Sequence, residues 1–386
     1  MKFTISVPDF QYAMRTVRDV VPSTGPLAET AGVLLEVKEN TATFTAFNPQ
    51  VMAKVTVAVK ADRDGTAVID APAIHGAVSH FKPRNEVGVG TSDILVSSAP
   101  SAKKIQITAK TRYASGHETP HKRVFALRSH DFFPELPSTD DKSHINNSFE
   151  LGASLLMDGI DSVAYALSSD KHQLLFSGVL FHLTAGRMTL FATNGICLAE
   201  YSVPITYNGN DVRVVIPGAF ASKVAKSFFD TDHISVDITN SMMFIKTANL
   251  TLAGALIRED YPDYKDVLPT PKKFVSVDKH VLLDNLVNLS YDASKVDDSR
   301  VSAKVAGGKM ELKCGSSNNE GIFTDFKGSL KFDCNLTLFA NSIRNIYGEI
   351  LKVGVTDALS PLQFSSAAEG SHSGAKLTCV LVPLSA

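Results

Sequence analysis

Two stretches of the 386-residue sequence place side chains at spacings that enzymes use. His117-Glu118-Thr119-Pro120-His121 has the HExxH pattern, in which two imidazoles on one helix face hold zinc and the Glu acts as a base. Pro120 excludes that helix, because proline lacks a backbone N–H and restricts the preceding residue to extended conformations. We therefore expect an exposed loop between strands, and no metal site.

The second stretch, residues 370–374, resembles a nucleophile elbow but has His372 where the nucleophilic Ser would stand. No phosphate-binding glycine loop precedes a predicted helix. The four cysteines have no CxxC pair, which is typical of reduced, buried thiols in a cytosolic protein: Cys197, Cys314, Cys334 and Cys379. The sequence thus predicts no catalytic residue and no cofactor, although an enzyme with a dispersed site stays as one alternative.

Length and charge limit the classes of protein that fit. A chain of 386 residues is too long for one ordinary core and predicts two or three domains. The formal net charge of −2 would not draw the whole chain to nucleic acid, so any affinity for DNA needs a local concentration of Lys and Arg. The sequence lacks a secretory signal and a run of about 20 apolar residues, so we expect a soluble, cytoplasmic protein with no membrane contact.

An internal repeat is the most informative feature of the sequence. Each third of the chain contains, in order, a strand and helix, a hairpin, a second strand and helix, and a strand-rich close. In the first third the four motifs begin at Phe3, Gly32, Thr66 and Glu86. In the second they begin at Phe149, Ser177, Val212 and Ile234, and in the last at Phe274, Ser299, Leu330 and Glu349. We predict an α+β fold of three tandem copies, at residues 1–138, 147–269 and 274–386, each with two helices on antiparallel sheets. Such a tandem repeat forms an open array or a closed ring.

Four segments are specific in their order and spacing: the opening MKFTI, LFATNGICLAEYSVPI from Leu190, YPDYKDVLP from Tyr261, and the ending CVLVPLSA. Through these segments the sequence resembles, over essentially its whole length, the bacterial beta sliding clamp, the beta subunit of DNA polymerase III. The resemblance implies a non-catalytic replication processivity factor, in which a head-to-tail homodimer closes a ring around duplex DNA without reading its sequence. It also implies replicative polymerase and clamp loader as partners. A protein-binding repeat scaffold that does not encircle DNA is the main alternative.

The resemblance implies two kinds of site. Partner peptides would insert into an apolar groove formed by Phe176, Thr193, Gly195, Leu198, Pro262, Val267, Val382, Pro383 and Leu384. Basic residues on or beside the helices that would line the ring's hole would face DNA: Arg15, Arg18, Lys82, Arg84, Lys171, Lys223, Lys226, Lys295 and Arg344. For the basic residues, the alternative is ordinary solvated helix faces.

The sequence departs from the family's usual pattern around this groove. Ile196-Cys197 stands where the family typically has His-Arg, Asp266 replaces a basic residue, and the chain ends in Ser385-Ala386 without Arg. The rim has lost positive charge, so we expect a less acidic or more apolar peptide than is usual. The alternative is that these residues only pack an interface between domains.

Overall fold

A computed structural model describes residues 1–21, 32–85, 87–99, 103–128, 133, 136–137, 145–170, 172–293, 299–319, 321–366 and 374–384. Residue contacts divide the chain into two compact units. Unit 1 comprises Met1–Ser148 with Ile234–Ala255, and unit 2 comprises Phe149–His233 with Leu256–Ala386. The middle copy predicted from the sequence therefore contributes to both units, and the limits of the three copies stay a prediction. None of the helices in the described ranges has the length and apolar character needed to cross a bilayer.

Six α-helices lie in the described residues, two in each predicted copy. They are α1 (Val7–Arg18), α2 (Ala71–Val78), α3 (Ala153–Val163), α4 (Gly218–Val224), α5 (Lys279–Ala293) and α6 (Leu336–Arg344). Each begins directly after a strand. Side-chain oxygens cap four of these starts: Ser6 accepts from the Asp9 amide of α1, Asp70 caps α2, Asp278 accepts from the Val281 amide of α5, and Asn335 caps α6. Such caps satisfy amides that have no partner within the helix.

The strands are short, and those that pair do so antiparallel. They are β1 (Lys2–Ile5), β2 (Val33–Lys38), β3 (Thr41–Phe47), β4 (Val51–Ala58), β5 (Lys60–Arg63), β6 (Gly65–Ile69), β7 (Gly90–Thr91), β8 (Ile94–Ser97), β9 (Lys104–Arg112), β10 (Glu118–Ala126), β11 (Ile145–Gly152), β12 (Gly178–Thr184), β13 (Arg187–Thr193), β14 (Cys197–Pro204), β15 (Val212–Pro217), β16 (His233–Thr239), β17 (Met242–Lys246), β18 (Leu250–Ala255), β19 (Lys273–Asp278), β20 (Arg300–Ala306), β21 (Lys309–Cys314), β22 (Ser317–Asn318), β23 (Ile322–Phe323), β24 (Ser329–Asn335), β25 (Ile350–Val355), β26 (Leu362–Ser366) and β27 (Lys376–Leu381).

Unit 1 is built on two sheets. Sheet A has the order β10-β9-β8-β1-β5, with β7 also paired to β9, and sheet B has the order β11-β16-β17-β18-β4-β3-β2-β6. In sheet B the last strand of the middle predicted copy, β18, pairs with β4 of the first copy, so that Leu250 lies opposite Val55. In α1, Phe10, Met14 and Val17 recur at four- and three-residue spacing and form a buried apolar stripe.

Unit 2 is also built on two sheets, one of them eight-stranded. Sheet C has the order β15-β12-β13-β14-β27-β26-β25-β19, and sheet D has the order β22-β21-β20-β24, with β23 also paired to β21. The last strand of the third predicted copy, β27, pairs with β14 of the middle copy, with Cys197 opposite Leu381. In α5, Leu282, Leu286 and Leu289 form a buried apolar stripe of the same spacing.

Both pairings that join predicted copies therefore follow one rule. The strand after the hairpin of one copy, β4 or β14, pairs with the last strand of the next copy, β18 or β27. Sheets B and C are continuous because each such pair satisfies the backbone groups that two strand edges would otherwise expose.

The HExxH stretch is not the loop that we predicted. Glu118 to His121 lie at the start of β10, where Pro120 is opposite Lys110 and the His121 ring nitrogen Nε2 is 2.9 Å from the Thr111 hydroxyl. A proline is tolerated there because β10 is the outermost strand of sheet A, where an outward-facing amide has no ladder partner to lose. Residues 370–373, which include His372, lie outside the described residues.

Candidate functional site

An apolar cavity of about 280 Å³ opens in unit 2, and most of the predicted groove positions surround it. Seven of the nine predicted residues line the cavity: Phe176, Thr193, Gly195, Leu198, Pro262, Val267 and Val382. Pro383 and Leu384 are not among its lining residues. Pro383 is buried, and the Leu384 amide donates to the Asp333 carbonyl at 2.7 Å. The last two described residues thus pack against the fold next to the groove.

A tight turn between β13 and β14 forms one side of the cavity. The Thr193 hydroxyl donates to the Cys197 carbonyl at 2.8 Å, and the Asn194 carboxamide oxygen accepts from the Ile196 and Cys197 amides at 3.0 and 2.9 Å. Gly195 has a φ of 82°, a left-handed conformation that favours glycine. This bonding fixes the turn, so Ile196 and Cys197 face the cavity on a defined backbone.

Aromatic rings form another wall of the cavity. The Tyr261 ring lies 5.7 Å from the Phe176 ring and 5.8 Å from the Phe191 ring, and the Tyr264 ring lies 4.8 Å from that of Phe191. Asp263 caps the short 3₁₀ turn that follows, by accepting from the Lys265 amide at 3.2 Å. Ring pairs at these distances contribute beyond the area they bury. The three tyrosine and phenylalanine contacts therefore join these rings into one packed wall.

The cavity presents almost no charge. Asp263 is the one acidic residue among its lining residues, and no Lys or Arg is among them. Burial raises the pKa of the Cys197 thiol to about 11 and raises the pKa of the Tyr261 and Tyr264 hydroxyls, so all three groups are neutral at physiological pH. Val267 and Val382 at the rim remain 57% and 40% exposed. The groove thus offers apolar surface to a ligand.

Several lining residues were not among the predicted set. They are Phe191, Ile196, Cys197, Tyr261, Asp263, Tyr264, Pro361 and Val380. The segments quoted for the resemblance contain all of them except Pro361, and we had singled out Ile196 and Cys197 as departures. The sequence did not indicate that Pro361 would approach the cavity, because that residue precedes β26, far along the chain.

The basic residues predicted to face DNA in unit 1 lie on or near α1 and α2. Arg15 is exposed on α1. Arg18 lies in the last turn of α1, where its guanidinium is 2.7 Å from His75 Nδ1 and 3.0 Å from the Asp19 carboxylate. Burial and the nearby Arg18 charge lower the pKa of His75, which keeps that imidazole neutral.

The other two unit 1 candidates follow α2. Lys82 is exposed, whereas Arg84 forms an ion pair of 3.1 Å with Glu118. A partly exposed pair of this kind contributes little to stability. Arg84 therefore presents a partly compensated charge.

In unit 2 the described basic candidates lie on or next to α4 and α6. Lys223 is half-buried on α4, Lys226 is exposed just after it, and Arg344 is exposed in the last turn of α6. Helix α3 carries carboxylates instead: burial raises the pKa of Asp158 and Asp161, and the nearby Lys226 opposes the rise at Asp161. Lys171 and Lys295 lie outside the described residues. Whether these cations face DNA stays a prediction.

Comparisons with known proteins agree with this fold over the whole chain. Residues 150–263 match the family described as DNA polymerase III beta subunit, central domain. The beta sliding clamp of Chlamydia muridarum is 20% identical over 376 residues, covering 94% of each chain, and that of Chlamydia pneumoniae is 21% identical, covering 96% of this chain and 97% of its own. Crystal structures of the DNA polymerase sliding clamps from Pseudomonas aeruginosa and Bacillus subtilis superpose with a TM-score of 0.84 at 17% and 16% identity. Each alignment covers 100% of this chain. It covers 100% of the Pseudomonas aeruginosa chain and 99% of the Bacillus subtilis chain.

The fold, with its repeated helix pairs and sheets that continue from copy to copy, is that of a DNA clamp. The groove lies on the sequence segments that carried the resemblance. Over its whole length the chain is similar to bacterial beta sliding clamps, and its middle region matches the family of central domains of the DNA polymerase III beta subunit.

Proposed function

We propose that this protein is a DNA sliding clamp, a non-catalytic processivity factor that two copies assemble into a ring around duplex DNA. The observation that carries the proposal is the repeated pairing rule of the sheets. Within one chain, β4 pairs with β18 and β14 with β27. By the same rule, the strands that follow the third hairpin, β22 and β23, would pair with β10, the last strand of the first copy, in a second chain.

The exposed edges support a head-to-tail dimer. Among the described strands, β10 ends sheet A, and β22 and β23 lie at the opposite end of sheet D from β24. Phe323 on β23 is 78% exposed and Val124 on β10 is 51% exposed. Large apolar side chains on unpaired strand edges favour association with another strand. Pairing β10 of each copy with β22 and β23 of the other would close the ring and bury both side chains.

A ring of this kind needs only weak, sequence-independent contacts with DNA. Lys and Arg can contact phosphates without reading bases, and such contacts allow sliding. Arg15 and Lys82 in unit 1, and Lys226 and Arg344 in unit 2, are the exposed cations that best fit this role. The link to DNA is then topological, so the complex stays intact where adhesion alone would fail.

Retention on circular and linear DNA tests the ring. After loading by a clamp loader, the protein should stay on a nicked circular plasmid through gel filtration and leave the plasmid once it is cut. Equal loss from both forms would refute encirclement and leave a protein-binding scaffold as the function. Arg15→Glu with Arg18→Glu should weaken retention, whereas Lys54→Glu with Lys60→Glu, an equal charge change on exposed strand residues, should not.

The apolar groove would tether partners. We infer that a replicative polymerase and the clamp loader each insert a short peptide whose Leu or Phe side chains occupy the cavity, as in the peptide-in-groove mode of recognition. Because Asp263 is the one charged lining residue, the peptide should carry few acidic residues. A cytoplasmic location fits this role in replication.

Three labelled hexapeptides test the charge preference. In Gly-Ser-Leu-Ser-Leu-Phe the two Ser residues are kept, or both are replaced by Asp or by Lys. Fluorescence polarisation should show the Asp peptide as the weakest, by about two- to fivefold relative to the Ser peptide, as expected for an exposed charge pair. Equal or tighter binding of the Asp peptide would contradict the proposed preference.

A further inference from the structure

A buried histidine connects the groove's aromatic wall to an acidic residue on the surface. His182 lies on β12 and is only 9% exposed. Its Nδ1 is 3.2 Å from the Tyr264 hydroxyl, and its Nε2 is 3.1 Å from the Asp211 carboxylate. Tyr264 lines the cavity and is 3% exposed, while the Asp211 side chain is 65% exposed. Neither the repeat nor the family resemblance indicated this chain of contacts.

For a neutral imidazole, the acceptor character of the Asp211 carboxylate sets the direction of both hydrogen bonds. A carboxylate only accepts, so Nε2–H donates to Asp211. In the neutral imidazole Nδ1 is then an acceptor, and the Tyr264 hydroxyl donates to it. Both ring nitrogens are satisfied in a site where an unpaired polar group would be costly. The Tyr264 ring is thereby held at its outer end.

Arg213 supports the same wall from β15, directly across from His182 in the sheet. Its guanidinium lies 6.0 Å from the centre of the Tyr264 ring, and its Nη2 is 3.4 Å from the Pro262 carbonyl. The wall thus has polar contacts behind it and a cavity in front of it. A side chain fixed from behind loses less freedom when a ligand packs against its face.

We propose that Asp211 and His182 are positioning residues for the groove: through the Tyr264 hydroxyl they hold the aromatic wall in the orientation that accepts a peptide's apolar side chain. This inference rests on the proposed peptide-binding function and deepens it. The two residues do not touch the peptide. They raise its affinity by ordering Tyr264 beforehand.

A double-mutant cycle tests the proposal, with the unmodified Gly-Ser-Leu-Ser-Leu-Phe peptide as the probe. Tyr264→Phe removes only the hydroxyl and should weaken binding about fivefold, because the ring must then be ordered when the peptide binds, at a cost of about 1 kcal/mol. His182→Leu should weaken binding by a similar factor, and the double variant should be no weaker than either single one. His182→Gln should bind like the wild type, because its amide can donate to Asp211 and accept from Tyr264 at once.

Asp211→Ala covers the case in which His182→Leu disturbs folding. Asp211 is exposed, so its loss leaves the core intact, and affinity should still fall about threefold because Tyr264 is less well ordered before binding. Two results would overturn the proposal. One is a double variant in which the two losses of affinity multiply, and the other is a His182→Gln variant that binds the peptide as weakly as His182→Leu. If the wild type binds no peptide, the groove function falls and the positioning role with it. If the wild type binds and Tyr264→Phe has no effect, only the positioning role falls.

Discussion

Removing the apolar rim of the groove should abolish most peptide binding without unfolding the protein. We consider the double variant Val267→Ser and Val382→Ser. Fully burying one valine side chain contributes about 1.5–3 kcal/mol. Val267 is 57% and Val382 is 40% exposed, so a peptide that covers both buries roughly the surface of one complete valine. The variant should therefore lose about 1.5–3 kcal/mol of binding free energy, which corresponds to about a tenfold to hundredfold higher Kd.

The assay is a fluorescence polarisation titration of Gly-Ser-Leu-Ser-Leu-Phe against wild type and variant. Val281→Ser with Val287→Ser is the matched control, because these valines are 45% and 36% exposed on α5 and do not line the cavity. Equal affinity of wild type and groove variant would refute the assignment of the groove. An equal loss in the control variant would show that the effect came from the fold.

Three further predictions concern the ring, the thiol and the core. Phe323→Asp removes an apolar side chain from the proposed junction and should raise the dimer Kd at least about tenfold in sedimentation. Leu359→Asp changes a similarly exposed residue and should leave the dimer Kd unchanged. Equal effects of the two variants would contradict the junction. Because the pKa of the Cys197 thiol is about 11, its thiolate fraction rises about tenfold per pH unit between pH 7 and 9. The rate of alkylation by iodoacetamide, measured by mass spectrometry, should rise as steeply over this range and should fall when peptide is bound. A plateau of the rate near pH 9 would refute the raised pKa. Phe44 is fully buried, and its ring centre lies 6.0 Å from that of Phe10. Phe44→Ala should therefore lower the free energy of unfolding by about 3–5 kcal/mol in denaturant titrations. A loss under about 1 kcal/mol would show that the core collapses around the gap.

The order of elements could be predicted from the sequence because it depends on local patterns. Apolar residues three and four apart at Phe10, Met14 and Val17 specify a helix, and alternation around glycine turns specifies the hairpins. The error at Pro120 shows the limit of this reasoning. Proline excluded a helix correctly, but whether it stood in a loop or on an outer strand depended on which strands pair, and no local pattern contains that information.

The sequence by itself determined the threefold repeat, the α+β class and, through its resemblance to a family, seven of the fifteen residues that line the cavity. Only the tertiary structure decided that sheets B and C continue from one predicted copy into the next, and that His182, Asp211 and Tyr264 meet behind the groove. The physical reason is the distance along the chain. His182 and Tyr264 are 82 residues apart, and their contact depends on strand pairing and side-chain packing in sheet C.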